Sequence, residues 1–403
     1  MTRTIPIVPA GANSASLSGD TNVRLTALPP LALYVHIPWC VKKCPYCDFN
    51  SHEAKGDIPE DAYVDALTRD IELALPQIWG RKIYTIFFGG GTPSLLSPAA
   101  LDTLLANLRA RLPLEHCSEI TLEANPGTFE AAKFESFRKS GINRLSIGIQ
   151  SFNAKHLQAL GRIHNDDEAH RAVEIAHRYF DNFNLDLMYA LPGQTMQEAA
   201  DDIDAVIAAA PTHVSAYQLT LEPNTLFHRY PPQLPGDDTA EAMQTDLEGR
   251  LQAAGYGHYE TSAFAQEGRQ SRHNVNYWQF GDYLGIGAGA ASKISFPDRI
   301  VRSLRHKQPK AYMEGIQTGS HVLEETPVLL RDLPFEFMMN ALRLTDGFPL
   351  RLFSERTGLP FSAIQQTLDE AEIKGLIERD HETVKPTVRG RRFLNDLLQI
   401  FLP

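Results

Sequence analysis

The chain has 403 residues, 43% of them hydrophobic, and a formal net charge of −11. That length allows one large core and a smaller second domain. The acidic balance argues against nucleic acid and anionic lipid as partners, and no run is apolar and long enough for a membrane span or a signal peptide.

Residues 1–30 are rich in Thr, Ser, Pro, Gly and Asn and predict a flexible leader. From residue 31, short apolar runs alternate with longer amphipathic ones. Strands are expected at 33–37, 83–88, 119–123, 144–149, 184–188 and 214–219, and helices at 60–75, 101–109, 130–139, 166–178 and 196–209. Repeated strand-then-helix order predicts an α/β fold with a parallel sheet. Six such units predict a partial (β/α)6 TIM-like barrel over residues 31–255, with its chemistry at the C-terminal ends of the strands.

The first strand runs into Trp39-Cys40-Val-Lys-Lys-Cys44-Pro-Tyr-Cys47, so three of the four cysteines fall on one loop. Such crowding suits a metal site in a cytoplasmic protein better than a disulfide framework. In C-x3-C-x2-C spacing, each thiolate can take one iron of a [4Fe-4S] cube. The fourth iron then lacks a protein ligand and is open to a chelating small molecule. Lys42 and Lys43 add positive charge that favours thiolate. The alternative is zinc, with His36 or His52 as fourth ligand. Cys117, alone before a strand, reads as a small buried hydrophobe. The second strand runs into Gly89-Gly90-Gly91-Thr92-Pro93. Its glycines allow backbone to approach a ligand closely, with a plain strand-to-helix turn as the alternative.

C-x3-C-x2-C followed by GGGTP on the next strand resembles the radical S-adenosylmethionine (SAM) superfamily, over about residues 31–220. The resemblance implies a [4Fe-4S] cluster on Cys40, Cys44 and Cys47. Its open iron would chelate the methionyl amine and carboxylate of SAM, and reduction would release a 5′-deoxyadenosyl radical. It also implies SAM contacts from Tyr34, from Gly89, Gly90, Gly91 and Thr92, and from Glu123 and Gln150 at strand ends. Tyr46 would lie near the adenine, Arg162 would pair with the SAM carboxylate, and Asp186 would hold the ribose.

Pro231, Pro232, Pro235 and Gly236 break the alternation. Asp238 and Glu241 have the spacing of a capping box opening a helix to about Gly255. Residues 256–325 form a connecting region, expected as loops and short strands to about residue 291. Residues 326–403 predict a C-terminal α+β region with a small winged-helix-like module. Its helices are expected at 330–342, 350–357, 361–374 and 389–401, with a short strand at 383–388. Arg389, Arg391 and Arg392 are its tight basic cluster, which suits a helix start or an anion contact better than a groove reader. DNA binding is thus the third functional expectation, behind a lid or docking role for this module.

Beyond the cysteine loop, the chain is similar to the subgroup of oxygen-independent coproporphyrinogen III oxidases, including Leu191-Pro-Gly-Gln-Thr195 and the C-terminal module. Two functions compete within that resemblance. The oxidases carry a further Cys two residues after the third cluster Cys, where this chain has Phe49, and a longer N-terminal element. Heme chaperones of the same subgroup resemble this chain from Trp39 to His52. They also share the H-N-x-x-Y-W motif, here His273-Asn274-Val-Asn-Tyr277-Trp278, which is tied to heme. An imidazole can ligate heme iron, and the aromatics can cover the macrocycle. Without the resemblance, a loop-capping His with core aromatics is the plainer reading. Relatives often carry a His where this chain has Ala291. The resemblance implies a cytoplasmic heme carrier that meets the membrane transiently. Its partners would be heme, a heme-accepting membrane protein and an electron donor, with a homodimer left open.

Overall fold

The computed structural model describes residues 20–128 and 130–403. Twelve strands form one sheet and are numbered here within it. They are β1 (Leu31–Ile37), β2 (Ile83–Gly90), β3 (Leu114–Ala124), β4 (Arg144–Gln150), β5 (Phe183–Tyr189), β6 (His213–Gln218), β7 (Gly257–Glu260), β8 (Ala263–Ala265), β9 (Asp282–Ile286), β10 (Ala291–Ser295), β11 (Ile300–Arg305) and β12 (Val322–Pro327). Their order across the sheet is β12-β11-β10-β9-β1-β2-β3-β4-β5-β6-β8-β7. Strands β9 and β1 to β6 are parallel neighbours, and the outer strands at both edges run antiparallel. Two free ends make this an open barrel, as the strand–helix alternation predicts.

All six expected parallel strands form, each within a few residues of its expected bounds. Strand β1, LALYVHI, is buried along almost its whole length, as parallel strands covered on both faces must be. The connecting helices are α1 (Glu60–Ile78), α2 (Pro98–Arg111), α3 (Ala131–Ser140), α4 (Asp166–Tyr179) and α5 (Met196–Ala208). Capping boxes at Asn165/Glu168 and Thr195/Glu198 fix the starts of α4 and α5. Helix α6 (Asp237–Ala253) starts after Gly236 with no side-chain cap, so the expected Asp238/Glu241 capping box does not form.

The connecting region departs most from expectation. Residues 272–278 form a helix, α7 (Arg272–Trp278), capped by Ser271. Residues 282–327 add four strands to the β1 edge of the sheet. Short strands are expected to about residue 291, as β7, β8 and β9 are; β10 to β12 are not, and they form by antiparallel pairing outward from β9, which alone of the four pairs with β1. The expected leader also needs correction. Residues 1–19 lie outside the described residues, but Val23 and Leu25 are buried in the second core. Their backbone amides donate to Asp298 (3.0 Å) and Pro297 (3.1 Å). Two apolar side chains at alternate positions anchor a segment whose average composition looks unstructured.

The C-terminal module has helices Leu333–Ala341, Leu350–Thr357 and Ser362–Ile373 and a three-stranded antiparallel sheet, in keeping with a winged-helix-like unit. The expected helix 389–401 is broken at Phe393 into Val388–Arg392 and Leu394–Gln399. Its core centres on Phe337, which meets Phe280, Phe348 and Phe353 edge-on. Arg392 is taken up by Glu248 on α6 (3.1 Å) and Arg389 by the carbonyl of Lys374 (3.4 Å), so two of the three basic side chains face the protein.

Two buried ion clusters lock the extra strands to the barrel. Asp70 on α1 accepts from Arg305 (3.1 Å), Tyr312 (2.8 Å) and the Gly287 amide (3.3 Å), with His321 at 3.3 Å. Burial alone would raise its carboxyl, but His321 and Arg305 hold it below the usual carboxylate value. Asp282, at the start of β9, binds Lys293 (2.9 Å) and Arg81 (2.8 Å). Removing one member leaves buried charges uncompensated. Asp70→Ala should therefore cost about 3–5 kcal/mol, read as a lower urea midpoint by circular dichroism. Because the folded pKa is depressed, the carboxylate's contribution is present above pH ~4 and fades as pH falls below it. The midpoint of Asp70→Ala should accordingly fall less than that of the parent on acidification.

Candidate functional site

The chain leaving β1 turns at Pro38 into the cysteine loop. The loop is closed at its base by the amides of His52 and Ala54, which donate to Pro38 (2.7 Å) and Cys40 (2.9 Å). Trp39 anchors it by packing edge-on against Tyr63. The glycine segment braces its other side, where Gly91 N donates to Ile37 O (2.8 Å) and Thr92 N to Trp39 O (2.7 Å). This close approach explains two glycines. Gly90 has φ +116°, and a Cβ there would lie 2.5 Å from the His36 ring; a Cβ on Gly91 would lie 2.5 Å from the Trp39 carbonyl oxygen.

Cys40, Cys44 and Cys47 are free, half-buried thiols lining one cavity of about 620 Å3. That volume is in the range of cofactor pockets. Burial pushes the Cys40 and Cys47 thiols up, and the Lys43 ammonium offsets little of it for Cys47. The lysine is spent on the carbonyls of Phe49 (3.0 Å) and Ser51 (3.4 Å). Lys43 favours the Cys47 thiolate, in the expected direction, but burial outweighs it. The zinc alternative lacks a fourth ligand. Both ring nitrogens of His36 are engaged, by Tyr34 (3.0 Å) and the Asn50 carbonyl (2.9 Å), and His52 bonds the Lys307 carbonyl (3.2 Å). Among the described residues no group of three or more His, Cys, Asp or Glu converges on a single ion. Three thiols around a common hollow, with Cys44 and Cys47 at the two ends of one turn (Cys47 N to Cys44 O, 3.2 Å), fit a cluster better than one ion. Cys117 is exposed, not buried as expected.

The residues expected at SAM line the same cavity. Tyr34, Tyr46, Gly90, Gly91 and Thr92 do so beside the cysteines, and Glu123, Gln150, Arg162 and Asp186 do so from the other strands. Gly89 lies just behind, against the rings of Tyr34 and Phe87. Glu123 accepts from Gly90 N (3.1 Å), and its carboxyl is pushed up to about 8 by burial and by the Asp186 carboxyl. Asp186 accepts from Asn184 (2.8 Å) and Ser146 (3.3 Å). Gln150 has φ +67°, a strained conformation for a non-glycine residue of the kind that collects at binding sites. Arg162 donates to Gly148 O (2.7 Å) and lies 3.7 Å from the Cys44 sulfur, with its Nε buried and unpartnered.

Helix α7 brings the second motif to the opposite end of the cavity, where His273, Asn274, Tyr277 and Trp278 all reach the lining. The helix is held by Glu119 of β3, which accepts from the amides of Arg272 (3.2 Å) and His273 (3.1 Å). The His273 ring stacks on Phe87 and meets Tyr277. Its Nδ1 pairs with Thr85 Oγ1 (2.9 Å), while its Nε2 is buried with no partner. Burial and the charge of Arg144 lower its pKa to about 3, so the ring is neutral at physiological pH. Ser271, not His273, caps the helix. Tyr277 stacks on Tyr283, and the Arg343 guanidinium covers Trp278 at 4.4 Å. Ala291, where relatives often carry a His, is solvent-exposed and outside the lining.

Several lining residues escaped sequence reasoning, among them Arg144, Ser146, Asn184 and Ser215. A signal was available. Arg144, Ser146, Gly148 and Gln150 alternate along β4, and Asn184, Asp186 and Met188 along β5, so each set shares one face.

Comparison with known proteins agrees with this geometry. The model of the radical SAM superfamily matches residues 34–206, and that of the HemN C-terminal domain residues 328–393. The heme chaperone HemW of Escherichia coli (strain K12) is 49% identical over 380 residues, covering 94% of this chain and 100% of its own length. The heme chaperone HemW of Bacillus subtilis (strain 168) is 32% identical over 377 residues, covering 92% and 98%. Among solved structures, coproporphyrinogen III oxidase (HemN) from Escherichia coli, a radical SAM enzyme, superposes with a TM-score of 0.79. It is 24% identical and covers 93% of this chain and 90% of its own, a likeness of fold.

Two outcomes follow from the site. Gly90→Ala should place a methyl against His36 and displace the glycine segment, so that anaerobic reconstitution yields less than half the parent's iron per chain. A cationic ligand beside Glu123 favours the ionised carboxylate. SAM affinity, measured by equilibrium dialysis, should therefore rise with pH, by about tenfold per unit at most, and level off above about 8.

Proposed function

Because this chain belongs to the radical SAM superfamily and, within it, to the HemW family, we propose that it is a heme chaperone that carries a [4Fe-4S] cluster and SAM. The observation that carries this reading is the shared cavity, with the cysteine loop at one end and the unpartnered His273 Nε2 at the other. When bound, the cluster supplies an open iron for SAM and a route for one electron. Cys40, Cys44 and Cys47 would hold it. Glu123, Gln150, Arg162 and Asp186 would orient SAM, with Tyr34, Tyr46 and the glycine segment lining its bed.

His273 is suited to heme iron on physical grounds. The tautomer that donates Nδ1–H to Thr85 leaves the Nε2 lone pair free, and such an outer partner orients the ring and raises its basicity. Phe87 and Tyr277 fix the ring plane. A neutral imidazole is the form that binds metal. No helix among the described residues is long and apolar enough to cross a membrane. Delivery to a membrane heme protein from the cytoplasm would therefore proceed by docking, with an external electron donor serving the cluster.

The rival reading, oxidative decarboxylation of coproporphyrinogen III, has the shared fold in its favour. Against it, residue 49 is an exposed Phe at the mouth of the cavity. The protein, reconstituted anaerobically with iron and sulfide, should take up heme and leave coproporphyrinogen III unconverted. Formation of protoporphyrinogen would falsify the chaperone reading. His273→Ala should abolish the heme-ligation bands, and Thr85→Val should weaken heme binding about 10–100-fold. Unchanged titrations for both would remove His273 as a ligand.

A further inference from the structure

The end of the cavity away from the cysteines contains a charge that the proposed function leaves unused. Arg144 opens β4 and is 2% exposed, yet it lines the cavity. Among the described residues no hydrogen bond or ion pair engages its guanidinium, and its Nε is buried without a partner. A buried unpaired guanidinium is costly, and the usual remedy is a bidentate anion. The polar groups around it hydrogen-bond one another, and Asp186, the carboxyl on which its charge acts, lies beyond ion-pair distance. Asp186 is held by Asn184 and Ser146, and His213 by Asn184 (2.7 Å) and Tyr259 (2.8 Å). The charge of Arg144 acts on the His273 and His213 rings and on the Asp186 carboxyl, so the guanidinium shares this end of the cavity with them.

Resting on the heme-carrier reading, we propose that Arg144 is a carboxylate-binding residue that anchors a propionate of the heme ligated at His273. The planar fork of Arg matches a carboxylate in two parallel hydrogen bonds. Two carboxylate-bearing molecules share the cavity in that reading, heme and SAM, and position separates them. Arg162 lies against Cys44, at the cluster end. Arg144 lies at the far end of β4 from Gln150, roughly 20 Å away at strand rise. A methionyl group chelated at the cluster cannot span that distance, whereas a propionate on a heme at His273 is on the right side.

The test compares heme with its dimethyl ester, in which both propionates are uncharged, using the full chain and absorbance titration. The parent protein should prefer the free acid by about 10- to 100-fold, the range of a charge-assisted hydrogen-bonded pair. Arg144→Gln should lose that preference, Arg144→Lys should retain part of it, and SAM affinity of the reconstituted protein should be unchanged in both. Equal binding of acid and ester by the parent, or full preference surviving in Arg144→Gln, overturns the inference and leaves heme carriage standing. A fall in SAM affinity with heme affinity intact assigns the carboxylate to SAM and also overturns it. No heme binding by the parent at all removes the carrier reading, and the inference with it. If Arg144→Gln fails to fold by thermal melt, the acid-to-ester comparison on the parent and Arg144→Lys decides.

Discussion

Parallel pairing of β1 on both sides is the constraint on which the site depends. On one side, β2 carries Gly90, Gly91 and Thr92 into hydrogen bonds with the chain that leaves β1 for the cysteines. On the other, β9 pairs from Leu31↔Asp282 to Val35↔Ile286, and α7 immediately precedes it. One strand therefore sets the position of both motifs, although they are more than two hundred residues apart in sequence. The Asp70 and Asp282 clusters fasten the same edge, since each joins α1 or its following loop to strands beyond β9.

Burial inside that open barrel sets the chemistry. The same poorly hydrated interior keeps His273 neutral, holds Glu123 protonated to about pH 8, and leaves Arg144 without a counterion within contact distance. These states suit different ligands. A neutral imidazole can accept a metal, a carboxyl near its titration point can respond to a cation, and a lone guanidinium attracts a carboxylate. The polarity of the cavity thus runs from sulfur at the mouth to nitrogen at the base.

The C-terminal module is a wall of this cavity as well as a neighbour of it. Phe280, two residues after the H-N-x-x-Y-W motif, is part of the module's core, and Arg343 covers Trp278. Arg302 links Glu336 of the module to Tyr283, on which Tyr277 stacks. Packing of the module is therefore mechanically joined to the helix that holds His273. The basic cluster near its end contributes to the seam with α6 through Arg392.

The sequence by itself determined the parallel strands, their helices and the cysteine loop, because period, spacing and breakers are local properties. Cys40, Cys44, Cys47 and the glycine segment were legible for the same reason, and so was the C-terminal module. The ordered segment at residues 20–30 and the strands between 291 and 327 were not, since their stability comes from pairing and burial against remote residues. Only tertiary structure decided that His273 shares a cavity with the cysteines, that His36 and His52 are already engaged, and that Arg144 is buried unpaired. Each of those is a statement about neighbours brought together by β1, and burial free energy belongs to such neighbours rather than to any stretch of chain.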